Sequence, residues 1–347
     1  MNKRKLLVLI SLIGVGFGSY FVLYFYQVFY WSNTTFKNEA SYVFIDRDDT
    51  IDSLEQQLTP LLKSVDRFLL AAEKKGYTTR IRPGKYRLTP EMGNNEMINL
   101  LRSKKLTVSV VFNNQERLED LAARIADQLE PDAAAFLAAF QDEEFLKSNG
   151  FTLENALCMY LPNSYNAYWD SSPEEFRELM LKNYHRFWNK NRLAKAKKLG
   201  FTPQEVYILA AIVHKESIKK EEQPRIAGLY LNRLRKNMRL QADPTVIYAL
   251  KRAAANYDLT IKRVLYKDLK LNSPYNTYKV KGLPPGPISM PDLSAIQAVL
   301  NPEKHSFLYF VASPENPGYH LFAKTLSQHN RNKKAYVEWI NSQKIYR

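Results

Sequence analysis

An uncharged run from Leu6 to Phe36, directly behind the basic residues Lys3, Arg4 and Lys5, constrains this 347-residue chain more than any other feature. The part from Leu6 to Tyr26 alone is long enough to cross a bilayer as a helix, for which about 20 apolar residues suffice. Tyr24, Tyr26, Tyr30 and Trp31 supply aromatic side chains suited to the far membrane interface. A cleaved signal peptide is the alternative, but no small-x-small cleavage site follows the apolar core and its end is bulky. The basic N-terminal tip predicts an N-terminus in the cytoplasm and the rest of the chain outside. The expectation is a single-pass anchor over residues 1–36 in a cytoplasmic (inner) membrane, with the folded part on the periplasmic or extracytoplasmic side.

Bulk properties narrow the classes. Cys158 is the sole cysteine, so no intrachain disulfide framework holds the fold, and the chain is long enough to rely on its own core. The formal charge of +15 suits an anionic surface or polymer. Its lysines are scattered through helical segments without interleaved aromatics, so nucleic acid is not an expected partner. His320 and His329 are too loosely spaced for a metal site, and there is no His-x-x-x-His or cysteine set. Neither metal nor cofactor is expected.

After the anchor, SYVFI from Ser41 reads as a short strand, Thr50 as a cap for the helix IDSLEQQL, and Leu61 to Lys75 as a second helix ended by Gly76. TTRIRPGKYRLTP reads as a strand pair broken at Pro83-Gly84, and Asn94 to Leu101 as a closing helix. Leu106 to Phe112 is a strand that begins a second domain. Arg117 to Leu129 and Pro131 to Phe140 follow as helices, and Pro173 to Lys198 as one basic amphipathic helix whose aromatic side is core.

The stretch from Phe201 to Leu250 carries the clearest chemistry. Thr202, Pro203 and Glu205 make a helix start with a capping box. The apolar stripe Val206, Leu209, Ala210, Val213 then ends on a carboxyl, Glu216. At the edge of an apolar face a carboxyl is partly desolvated, which raises its pKa towards what a general acid needs near neutrality. The bland alternative is a surface glutamate paired with Lys219 or Lys220. A second helix from Pro224 to Lys236 buries Ile226, Leu229, Tyr230 and Leu234, with Asn232 and Arg233 among them. Asp243-Pro244 marks a turn and a new helix, with Asp243 as a candidate cap. Glu216, Arg233, Gln241 and Asp243 can therefore meet at one helix–turn junction. Further on, NSPYNTYKVKGLPPGPISMP is a loop stiffened by prolines, Ser294 to Leu300 a helix, and FLYFVAS a buried strand ending the sheet.

The run IVHKES, then RIAGLYLNRLRKNMRLQADPTVIYAL, SPYNTYKVKGLPPGPISMP and FLYFVASPENPGYHLFAKTLSQHN, resembles the YceG-like family of endolytic murein transglycosylases in content and order. The segment RPGKYRLTPEMGNNEMINLLRSKK resembles the LysM-like part in front of that family's catalytic domain. By this resemblance the catalytic glutamate, the second acid of a V-E-K-E-type motif, falls on Glu216. The first acid is replaced by His214. Glu-Gly pairs that the family carries are replaced within NNQER and at Leu157-Cys158, while Pro162, Asn163, Ser164 and Tyr165 keep the later motif.

The resemblance implies an α+β protein with a transmembrane helix, a small LysM-like βααβ domain over residues 37–105 and a mixed α+β catalytic domain over 106–347. It implies cleavage within nascent glycan strands, where the N-acetylmuramyl C6 hydroxyl attacks C1 and closes a 1,6-anhydro ring. One carboxyl, Glu216, then serves first as acid and later as base. Arg233, Gln241, Asp243, Asn276, Thr277 and Tyr278 would position glycan or glutamate, and peptidoglycan strands and cell-wall synthases of elongation or division would be the partners. Two alternatives stay open: a non-catalytic glycan-binding scaffold, and a water-using muramidase with Asp243 as second carboxylate.

Overall fold

The computed structural model describes residues 3–37, 39–103 and 105–342 and has an α+β architecture of many helices and three two-stranded sheets among them. Lys3–Phe29 is a continuous helix whose side chains stay exposed from Leu6 to Tyr26; only Val28 and Phe29 are buried. Among the described residues it is the one helix long and apolar enough to cross a membrane. So long an apolar surface left uncovered calls for an apolar solvent, which supports a membrane-associated chain.

The chain divides into two compact units. One runs to Val110 and takes in Ala126–Pro131 and Tyr165–Ser172; the other holds Val111–Ile125, Asp132–Ser164 and the chain from Pro173 onward. In the first, strand Ser41–Ile45 pairs antiparallel with Gly84–Leu88, Ser41 opposite Leu88 and Ile45 opposite Gly84. Helices Ile51–Leu58 and Val65–Lys74 lie between these strands in sequence, a βααβ order, and Asn94–Arg102 follows. Thr50 caps the first helix in a capping box with Ser53, and Ser64 caps the second. The expected strand pair around Pro83-Gly84 is a single strand: residues before Gly84 take no strand, because the partner comes from Ser41–Ile45. Phe68, Ala71, Tyr86, Met97 and Leu101 fill the core.

Two buried asparagines fasten the end of the apolar helix to this unit. Asn94 Nδ2 donates to the Val28 carbonyl at 2.7 Å, and Asn33 Nδ2 donates to Asn94 Oδ1 at 2.8 Å. Asn33 Oδ1 accepts the Ser64 amide at 2.9 Å. The returning segments are held by Trp169 Nε1 on Asp46 at 3.0 Å and by Lys105 on Asp170 at 2.6 Å.

The second unit is built around helix Pro203–Glu216. All of Val206 to Val213 is buried, so the expected stripe is a helix enclosed on every side. Helices Lys190–Leu199, Gln223–Arg235, Asp243–Ala253 and Leu293–Leu300 pack against it, each buried Val, Leu or Ile contributing about 1.5–3 kcal/mol relative to exposure. The single helix expected from Pro173 to Lys198 is two, Pro173–Phe187 and Lys190–Leu199, because Asn189 caps the second through its side chain on the Arg192 amide. The strand expected to be buried, Tyr309–Ala312, is half-buried and pairs only with His320–Ala323 in an antiparallel hairpin.

Candidate active site

The helix that presents Glu216 starts and stops for identifiable reasons. Thr202 accepts the Glu205 amide at 3.2 Å while Glu205 Oε2 accepts the Thr202 amide at 2.7 Å. The helix ends at Glu216 because Ser217 is extended, at φ −146° and ψ 129°. Buried Gln223 then donates to the Ser217 carbonyl at 3.1 Å, fixing the chain just past the glutamate.

Glu216 is half-buried. The Tyr230 hydroxyl, itself buried, donates to Glu216 Oε1 at 2.6 Å. Burial is the largest influence on this carboxyl and raises its pKa to about 7. The Tyr230 hydrogen bond pulls the other way, the Asp243 charge adds to the rise, and His320 and Arg233 oppose it. Both protonation states are therefore populated near neutrality, as a group that gives and then takes a proton requires.

Arg233, whose charge acts on this carboxyl, is buried rather than in the open. Its Nε donates to the Leu308 carbonyl at 2.6 Å and its Nη1 to the Leu240 carbonyl at 2.7 Å and Gln241 Oε1 at 3.3 Å. It thus ties the hairpin strand to the turn that precedes helix Asp243–Ala253. Gln241 has a left-handed backbone, φ 52°, and is exposed. Asp243 is the first helical residue and Ala242 the N-cap, without a side-chain cap bond. The expected capping by Asp243 is therefore corrected: its Oδ1 accepts the Tyr278 hydroxyl at 2.6 Å instead. Burial, then the Asp243 charge, pushes the Tyr278 phenol well above its ordinary pKa.

Asn276 and Thr277, expected to face a sugar, are fully buried. Asn276 Nδ2 donates to the Leu271 carbonyl at 2.7 Å and its Oδ1 accepts the Tyr278 amide at 3.0 Å. Thr277 Oγ1 accepts the Ala242 amide at 3.0 Å and lies 2.8 Å from Thr245 Oγ1. Their polar groups are spent on holding Tyr278 and the start of the Asp243 helix in place. His214 lies beside Asp292, its Nδ1 3.6 Å from Oδ2, and burial lowers its pKa.

Three residues of the site escaped the sequence reading. Tyr230 passed as a core residue in an apolar stripe, though a buried tyrosine hydroxyl needs a partner and Glu216 is the acceptor. His320 Nδ1 lies 2.8 Å from Glu222 Oε2, and the His320 amide donates to Glu222 Oε1 at 2.8 Å. Burial pushes the Glu222 carboxyl up, but these bonds outweigh it and leave its pKa lowered. The two residues are distant in sequence, so no local pattern joins them.

With this geometry in hand, the chain's relatives are informative. The sequence profile of the YceG-like family matches residues 43–335. An endolytic murein transglycosylase of Bacillus subtilis (strain 168) is 32% identical over 298 residues, covering 81% of this chain and 80% of that protein. One from Streptococcus pneumoniae (strain D39 / NCTC 7466) is 29% identical over 310 residues, 79% of this chain and 53% of that longer protein. The crystal structure of a yceG-like protein from Listeria monocytogenes superposes with a TM-score of 0.55 at 29% identity, covering 84% of this chain and 98% of that one.

Proposed function

Since the chain belongs to the YceG-like family, we propose that it is an endolytic murein lytic transglycosylase in which Glu216 moves the proton. The observation that carries the assignment is the half-buried Glu216 carboxyl, with its pKa near 7 and its Oε1 engaged by Tyr230. With Tyr230 donating to Oε1, the transferable proton belongs on Oε2. Glu216 gives that proton to the glycosidic oxygen between N-acetylmuramic acid and N-acetylglucosamine as the C1–O bond breaks. The carboxylate so formed takes the proton of the muramyl C6 hydroxyl as that oxygen bonds to C1, which closes the 1,6-anhydro ring. No water is consumed, and a second carboxyl is not required.

In this reading Tyr278, Gln241 and Asp243 contact glycan, since they reach the surface around Glu216. Arg233, Asn276 and Thr277 act by fixing the turn and loop. Residues 41–103, whose βααβ order fits a LysM-like unit, hold the enzyme near nascent strands or contact glycan themselves. The basic tip before the apolar helix supports a cytoplasmic N-terminus and an extracytoplasmic catalytic unit, with cell-wall synthases as protein partners. Asp243 influences Glu216 through its charge, which keeps the muramidase reading distinct and testable. Mass analysis of the ends released from purified peptidoglycan decides: anhydro ends support transglycosylation, reducing ends the muramidase, and no release the scaffold.

A further inference from the structure

Away from Glu216, a cavity of about 410 Å³ opens in the same unit and is lined by Tyr248, Tyr257, Tyr275, Arg252 and Glu154, among others. Its size is ordinary for a small-ligand site, about 300–1,000 Å³. Neither Glu216 nor Tyr230, Asp243 or Tyr278 lines it. Two continuous elements nevertheless join it to Glu216's surroundings. Helix Asp243–Ala253 runs from Asp243 to Arg252, about 14 Å apart at about 1.5 Å rise per residue. The proline-stiffened loop places Tyr275 at the cavity and Tyr278 on Asp243.

The wall has a recognisable chemistry. The Tyr248 ring lies 4.7 Å from that of Tyr275 and 5.8 Å from that of Tyr257. The charges between the rings are compensated within the protein. Arg252 donates twice to Glu154 at 2.7 Å, and the Tyr275 hydroxyl donates to the same carboxylate at 2.8 Å. Lys251 engages Glu116 at 2.7 Å, and Arg117 engages Asp120 at 2.6 Å. Such a wall sets guanidinium, carboxylate and hydroxyl groups beside aromatic rings, Arg117 lying 4.2 Å over the Tyr257 ring and Arg252 5.1 Å over the Tyr275 ring, with little net charge to attract a free ion. A neutral ring with C–H faces and hydroxyl or acetamido edges matches it. Glu116 and Leu157 also line the cavity.

We propose that this cavity is an accessory carbohydrate subsite that holds an N-acetylhexosamine unit of the same β-1,4-linked strand that is cut at Glu216. The proposal rests on the glycan-cleaving reading above and extends it from the cut bond to the grip on the strand. A strand seated at both ends of helix Asp243–Ala253 is cleaved internally rather than at its tip, because its binding energy comes from units away from the scissile bond.

The test uses the detergent-solubilised full chain carrying E216Q, so that binding is read without turnover. N-acetylchitohexaose is titrated calorimetrically into this protein and into versions with Y257A or L153R added. Tyr257 is half-buried and Leu153 is 48% exposed, so neither change opens the core. Affinity at least about tenfold weaker in both added variants, with melting temperature held in L153R, is the expected result. Affinities within twofold of E216Q, or no binding of the hexaose by E216Q itself, overturn the subsite. Binding of a free stem peptide that is lost in L153R while the hexaose is unaffected also overturns it, in favour of a peptide pocket. The released ends from wild type judge the transglycosylase reading separately, so the two can fail independently.

Discussion

The Tyr230 hydroxyl sits 2.6 Å from Glu216 Oε1, a hydrogen bond that favours the ionised form of a carboxyl that burial drives towards protonation. Tyr230→Phe keeps the ring and removes that donor, so the Glu216 pKa rises above about 7. The enzyme needs Glu216 protonated to begin, and the alkaline limb of kcat/KM moves to higher pH in Y230F. A pH–rate profile checks the direction; a limb that stays put or moves to lower pH removes Tyr230 from the tuning of Glu216.

The same shift makes Glu216 a cost to stability. Its folded pKa lies near 7, above the ordinary value of 4.5 that the unfolded chain would show. Between these values the folded state holds a proton that the unfolded state has lost, so stability falls as pH rises and stays reduced above about pH 7. Glu216→Gln cannot ionise and escapes this penalty. E216Q should be more stable than wild type at pH 8, by on the order of 1–3 kcal/mol, and melt higher, with the advantage shrinking towards pH 4.5. Melting curves across that range check it, and a constant difference would contradict it.

Asn94 carries the buried link between the end of the apolar helix and the first unit through Val28 and Asn33. Asn94→Ala leaves the Val28 carbonyl and the Asn33 amide without this partner, at a cost of about 1–3 kcal/mol. Chemical denaturation of wild type and N94A reads that loss; an unchanged midpoint would show the link to be inert.

Gly286 stands in a place no side chain fits. A Cβ there would lie 1.9 Å from the Glu154 carbonyl oxygen, so Gly286→Ala must push the proline-stiffened loop off its seat. Overpacking of this kind costs about 1–3 kcal/mol. G286A should lose both stability and sugar affinity at the Tyr275 cavity, measured by melting and titration; retention of both would mean that the loop adjusts freely.

What the sequence made legible follows from what is local. The capping box at Thr202, the apolar run up to Glu216 and the uncharged N-terminal helix all announce themselves by spacing, and each stands in the structure. The break at Asn189 was hidden because aromatic and basic residues continue the helical period across it. Asn276 and Thr277 looked like ligand contacts because polar residues in a stiff loop often are; only the folded chain reveals the backbone groups they satisfy. The Tyr230–Glu216 and His320–Glu222 pairs depend on packing between separate elements, to which periodicity is blind.

As the proton carrier of a transglycosylase, Glu216 is tested by mass spectrometry of muropeptides released from purified peptidoglycan by wild type and E216Q. The Gln side chain keeps the shape but carries no transferable proton, and general acid–base catalysis is worth roughly a hundredfold or more. Wild type should release fragments ending in 1,6-anhydro-N-acetylmuramic acid, and E216Q should release at least about a hundredfold less while still binding glycan. Undiminished anhydro product from E216Q, or reducing ends from wild type, would contradict the account.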